Sequence, residues 1–125
     1  MVKILIADDH PLFRSGIKHT IIETSDQYVV DEAANGLEVL KKVREGNYDI
    51  ILLDISMPGE NGIDILKQLK DEKSGIPVLI MSMHPEEQYA VRALRAGASG
   101  YLTKESTPSE LIAAINKTLA GGIYV

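Results

Sequence analysis

The sequence predicts an α/β domain built on a five-stranded parallel sheet with helices on both faces. Short runs rich in Val, Ile and Leu alternate with stretches of helical periodicity five times, without a compositional break. The third and fourth runs are continuously apolar, as strands buried on both faces of a parallel sheet should be. At 125 residues, 45% hydrophobic and 25% charged, the chain has the size and composition of one compact domain that can bury a full core.

The elements follow in order. "VKILIA" (2–7) is the first strand, and Pro11, suited to a first helical turn, opens a helix with Ile17 and Ile21 one turn apart. "YVVDEA" (28–33) is the second strand; Asn35 caps a helix that turns Leu37, Leu40 and Val43 inward and stops at Gly46. "DIILL" (49–53) leads to a third helix, capped by Asn61, with Ile65, Leu66 and Leu69 inward. "PVLIM" (77–81) leads to a fourth, with Pro85 in its first turn, Val91 and Leu94 apolar, and its end at Gly97. A short "GYL" (100–102) precedes the clearest helix. There "TPSE" (107–110) is a capping box with Pro at the first helical position, Leu111, Ile112, Ile115 and Leu119 form one face, and Gly121 ends it. Right-handed crossovers between parallel strands then place helices on both faces of the sheet.

Composition removes several function classes. With no Cys there is no disulfide framework, thiolate metal site or cysteine nucleophile. A net charge of −5 argues against grip on a phosphate backbone, which needs a concentrated Lys/Arg surface, so no nucleic acid is expected to bind through this domain. No stretch reads as a signal peptide or membrane span, which leads to the expectation of a cytoplasmic protein that does not engage membranes.

In open parallel sheets ligands bind at the carboxyl ends of the strands. Asp8 and Asp9 follow the first strand, Asp54 the third, Ser82 the fourth, and Lys104 comes just after the fifth, so the five can converge on one edge. Two unit charges about 4 Å apart repel by roughly 4 kcal/mol at an effective dielectric near 20, so three clustered carboxylates call for a cation or a proton. Hard oxygen donors favour Mg²⁺, or Mn²⁺, over zinc, and Mg²⁺ commonly pairs one or two carboxylates with a phosphoryl oxygen. Lys104 and Ser82 could neutralise and donate to the remaining phosphoryl oxygens. A carboxylate can itself be the nucleophile, giving an aspartyl phosphate. Asp54 is the best placed, coming alone from the central strand and followed by the loop "ISMPGENG".

Taken together, "ADDHP" (7–11), "LLDISMPGENG" (52–62), "MSMH" (81–84) and "GYLTK" (100–104) resemble the receiver domains of two-component response regulators, over essentially the whole chain. The resemblance implies a flavodoxin-like doubly wound (βα)5 sandwich with strand order 2-1-3-4-5. It implies that Asp54 accepts a phosphoryl group from the phosphohistidine of a sensor histidine kinase. Mg²⁺ would be held by Asp8, Asp9, Asp54 and the backbone carbonyl of Ser56, with Asp9 direct and Asp8 partly through water. Ser82 and Tyr101 would form a switch pair, the hydroxyl moving to the phosphoryl group as the ring turns inward, and Lys104 would contact a phosphoryl oxygen. The chain would not be an enzyme beyond its own phosphotransfer and autodephosphorylation.

"DDHP", "SMH", a lysine followed by Glu105 instead of Pro, and "AGGIYV" resemble the NarL/FixJ type. Such receivers usually precede a LuxR-type helix-turn-helix that contacts DNA and controls transcription, and they form homodimers on phosphorylation. Residues 1–125 are therefore read as a receiver without its output domain. Glu105 weakens the expectation of a cis peptide after Lys104, Ser82 keeps the hydroxyl where Thr is commoner, and Met83 could narrow access to the site. Two rival readings are a pseudo-receiver that binds partners without phosphorylation and a phosphatase of the haloacid-dehalogenase type. The second needs D-x-D after the first strand, where this chain has "DDH" and no substrate cap.

Other residues have plainer readings. His10, His19 and His84 are taken as polar loop or surface residues, with His84 near enough to affect the lifetime of a phosphoryl group. Met57–Pro58–Gly59 is a shaped turn. Arg92 and Arg95 mark a solvated helix face.

Overall fold

Branched apolar runs become the strands. β1 (Val2–Ala7), β2 (Tyr28–Ala33), β3 (Ile50–Asp54), β4 (Val78–Ser82) and β5 (Gly100–Thr103) lie parallel in the order β2-β1-β3-β4-β5. The structure is a computed structural model and describes residues 1–55, 62–72, 75–82 and 87–123. Every residue of β3 and β4 is buried, which is why those two runs carry no polar alternation. Ser56, Met57–Pro58–Gly59, Asn61, Met83, His84 and Pro85 lie outside the described residues.

The helices are α1 (Pro11–Thr24), α2 (Gly36–Glu45), α3 (Gly62–Glu72), α4 (Glu87–Arg95) and α5 (Pro108–Leu119). Because strand side chains alternate, each face of the sheet has its own core. Ile4, Ile6, Leu52, Leu79 and Leu102 face α1 and α5, where they meet Ile21, Leu111 and Ile115. Leu5, Ile51, Leu53 and Ile80 face the other way, onto Val39, Leu66 and Ala93 of α2, α3 and α4.

Side chains seal the helix starts as the sequence indicates. Asn35 accepts from the Glu38 N–H, while Glu38 accepts from the Ala34 N–H at 2.7 Å. Thr107 and Glu110 make the reciprocal capping box. Each such cap is worth about 1 kcal/mol. α4 ends at Gly97, whose φ of +107° is a left-handed conformation that a side chain would strain.

Two expectations are corrected, on Leu37 and on the strand ends, and the structure adds how α4 is seated. Leu37 is 71% exposed, because α2 turns Gly36, Val39, Leu40 and Val43 to the sheet and Leu37 falls off that stripe. α4 seats itself through Ala93, with Leu94 only partly buried and Val91 exposed; the small side chain lets the helix approach closely. β3, β4 and β5 each run one residue further than their apolar runs, so Asp54 and Ser82 belong to the ladder itself. The sheet edge fixes their backbone.

Candidate functional site

Parallel strands all leave the sheet on the same side, so register decides which residues meet there. Asp8 adds one bond to the β1–β2 ladder, its N–H donating to the Ala33 carbonyl, and this keeps its side chain buried while Asp9 starts the loop. Asp54 closes β3 at 1% exposure, opposite Met81. The Ile55 N–H donates to the Met81 carbonyl and the Lys104 N–H to the Ser82 carbonyl, which extends the pairing past β3 and sets Lys104 beside Ser82.

Lys104 is the hub. Its Nζ lies 2.7 Å from Asp8 Oδ2 and 3.0 Å from Asp54 Oδ2, with its own side chain 3% exposed. The Phe13 ring packs against the ammonium, its centroid 4.6 Å away. Burial pulls the Lys104 pKa down, but hydrogen bonds to Asp8 and Asp54 and the charges of both outweigh it, so the ammonium is held above the usual lysine value. It stays protonated.

The two oxygens of Asp8 are both engaged. Oδ2 takes Lys104, while Oδ1 accepts from the His10 backbone N–H at 2.8 Å and lies 3.0 Å from His10 Nδ1. Asp9 differs: its Oδ1 is buried and finds no hydrogen-bond partner among the described residues, though His10 Nδ1 stands 3.2 Å away at ion-pair distance. Ligand atoms of Asp8, Asp9, His10 and Asp54 all lie within 4.8 Å of one another. Three carboxylates against one ammonium leave formal negative charge in excess. The three carboxylates, with one buried Asp9 oxygen that lacks a hydrogen-bond partner among the described residues, fit a hard divalent cation.

Ser82 closes β4 at 1% exposure, next to Lys104 in the chain pairing. Tyr101 lies on β5, 8% exposed, packed in the core between the sheet and α2–α4. Asp8, Asp9, Asp54 and Lys104 are therefore brought into contact and Ser82 to the same edge, whereas Ser56 and His84 lie outside the described residues. The Lys104–Glu105 peptide is trans. His19 pairs with Glu23 on the exposed side of α1, as a surface residue should, and Arg92 and Arg95 are exposed.

Three side chains at this edge escaped the sequence reading. His10, taken for a loop residue, puts its ring nitrogen between two carboxylates; its position directly after "DD" was the available signal. Phe13 and Arg14 come from the first turn of α1. Phe13 lies under Lys104, and Arg14 bonds the Asp8 carbonyl.

Comparison with known proteins gives a consistent result. The response regulator receiver domain family matches residues 4–116. The transcriptional regulatory protein DegU of Brevibacillus brevis is 37% identical over 99% of this chain, which covers 52% of that protein. The chain spans about half the length of the curated relatives it matches. Among solved structures, a LuxR-family two-component response regulator from Aurantimonas sp. SI85-9A1 superposes with a TM-score of 0.93 at 37% identity, covering 100% of this chain and 89% of that one. The response regulator TrrA of Thermotoga maritima, solved in complex with Mg²⁺ and BeF, gives 0.84 at 31% identity, covering 94% and 98%.

Proposed function

Because the chain belongs to the response regulator receiver domain family, of the NarL/FixJ type, we propose that it is a phosphorylation-dependent signalling module whose phosphoacceptor is Asp54. The observation that carries this reading is the single ammonium of Lys104 held between Asp8 and Asp54 at the carboxyl ends of β1 and β3. That arrangement places a fixed positive charge on the oxygen that would carry, or neighbour, a phosphoryl group.

The donor is a sensor histidine kinase. An Asp54 carboxylate oxygen attacks the phosphorus of the kinase phosphohistidine, the P–N bond breaks, and the departing imidazole keeps the electron pair and takes up a proton. Lys104 neutralises charge on a phosphoryl oxygen, and the Ser82 hydroxyl donates to another. Mg²⁺ is the expected cation, with Mn²⁺ able to substitute; Asp9 would hold it directly, together with Asp54 and the Ser56 carbonyl, and Asp8 partly through water. When bound, it supplies positive charge that draws the phosphoryl oxygens and the carboxylates together.

Phosphorylation shifts an equilibrium between two surfaces through Ser82 and Tyr101. Self-association and transcriptional output follow, the latter through a DNA-binding segment outside residues 1–125. Among the described residues no helix is long and apolar enough to cross a membrane. Membership of the receiver family supports a cytoplasmic location as part of this proposal.

Incubation with a small phosphodonor and Mg²⁺ followed by intact-mass measurement tests the reading. One added, base-labile phosphoryl group is expected, absent with chelator and absent in Asp54→Asn. No adduct with any donor would leave a partner-binding module, and multiple turnover of a phosphoester would mean a phosphatase.

A further inference from the structure

The guanidinium of Arg14 sits between the acidic loop and β2. Its Nε donates to Glu32 Oε1 at 2.8 Å and its Nη1 to the Asp8 backbone carbonyl at 2.5 Å. The side chain is 16% exposed. Its backbone is set by the first turn of α1, where the Arg14 N–H donates to the His10 carbonyl.

Glu32 is a fixed anchor. It pairs with Ile6 in the sheet register, Lys18 Nζ stands 3.5 Å from its Oε2, and the Lys42 ammonium bonds its backbone carbonyl. The hydrogen bond from Arg14 outweighs burial, so with help from Lys18 the Glu32 carboxyl is held below its usual range and is ionised at neutral pH.

The peptide plane makes this bridge consequential. The Asp8 carbonyl and the Asp9 N–H belong to one rigid unit, so fixing that oxygen fixes the direction in which Asp9 leaves the loop. The other side of Asp8 is fixed by the His10 N–H on Oδ1. Asp9 itself carries the buried oxygen without a hydrogen-bond partner among the described residues. We propose that Arg14, anchored on Glu32, is a positioning residue that holds the Asp8–Asp9 peptide so that the Asp9 carboxylate is presented to a divalent cation. This rests on the cation-dependent reading above.

The sign of the effect separates positioning from charge. Arg14 is a cation close to an acidic site, and by Coulomb's law alone its removal tightens binding of another cation. A positioning role predicts weakening. Titration calorimetry of Mg²⁺ at constant ionic strength, with melting curves alongside, compares the wild-type chain with Arg14→Met, Arg14→Lys and Lys18→Met.

Arg14→Met is expected to weaken Mg²⁺ binding about tenfold, the usual scale for losing a group that orients a metal ligand. In phosphorylation assays the loss falls on the Mg²⁺ concentration giving half-maximal rate more than on the maximal rate. Arg14→Lys, which keeps the charge but cannot bridge both oxygens, binds more weakly than wild type and more tightly than Arg14→Met. Lys18→Met, which removes a neighbouring charge without touching Asp8, binds Mg²⁺ as tightly as wild type or more so. Unchanged or tighter binding by Arg14→Met overturns the proposal; if that variant does not fold, unchanged binding by Arg14→Lys overturns it. A wild-type chain that takes neither Mg²⁺ nor a phosphoryl group sinks the receiver reading instead, and this one with it.

Discussion

Lys104 and Asp8 form an ion pair in which both side chains are 3% exposed, Nζ to Oδ2 at 2.7 Å. Lys104 therefore holds the position a bound cation would otherwise compete for, and Asp54 shares it at 3.0 Å. Removing one partner of a buried pair leaves charge without compensation and costs about 3–5 kcal/mol. Lys104→Met is expected to lose stability on that scale in chelator, measured by urea unfolding. Added Mg²⁺ should restore more stability to it than to wild type, because a ligand that binds only the folded state stabilises it by mass action. Equal Mg²⁺ gains in both proteins would mean that Lys104 does not compete with the ion.

Asp9 is the opposite case, a carboxylate whose buried oxygen lacks a hydrogen-bond partner among the described residues and faces like charges. Asp9→Asn relieves that repulsion, and stability in chelator should rise by up to the roughly 4 kcal/mol of one such charge pair at an effective dielectric near 20, less what the Lys104 ammonium already offsets. Phosphorylation by a small donor should fall to the level seen without Mg²⁺. A variant that is phosphorylated normally would remove Asp9 from the direct ligand set.

The sheet was legible because β3 and β4 are apolar at nearly every position, and the strand-end rule then drew Asp8, Asp9, Asp54, Ser82 and Lys104 to one edge. His10, Phe13 and Arg14 were not, because what they touch depends on how α1 is rotated against the sheet, and the apolar residues of α1 do not mark one face: Ile21 is buried while Leu12 and Ile22 are exposed. Leu37 misled for a related reason. Near a helix start, an apolar residue one position off the buried stripe satisfies a spacing rule without being covered.

Gly62 is required by proximity. Its N–H donates to the Ile55 carbonyl at 3.2 Å, joining the start of α3 to the end of β3, and a Cβ there would lie 2.5 Å from Ile55 Cα. Backbone cannot swing aside as a side-chain tip does. Gly62→Ala should cost about 1–3 kcal/mol, the range for overpacking a tight contact, with the loss read from urea midpoints. Because Ile55 follows Asp54 directly, the phosphorylation rate should fall as well. A variant of wild-type stability would show that the two segments can separate at no cost.

Tyr48 gives the protein a predictable alkaline limit. Its ring is 8% exposed and its hydroxyl donates to Asp31 Oδ2 at 2.8 Å. Burial first, then the hydrogen bond and charge of Asp31, push the phenol up to about 12. A tyrosine in an unfolded chain ionises near pH 10, so below that value both states hold the proton and the contribution is intact. Between about pH 10 and 12 the unfolded chain ionises while the folded one does not, and stability falls by about 1.4 kcal/mol per pH unit from this group. Tyr48→Phe lacks that slope but leaves Asp31 without its donor, costing about 1 kcal/mol at neutral pH. Urea unfolding at pH 8 and pH 11 should therefore show wild type losing more stability than Tyr48→Phe. Parallel losses in the two proteins would place the phenol in an ordinary environment and contradict the burial of its ring.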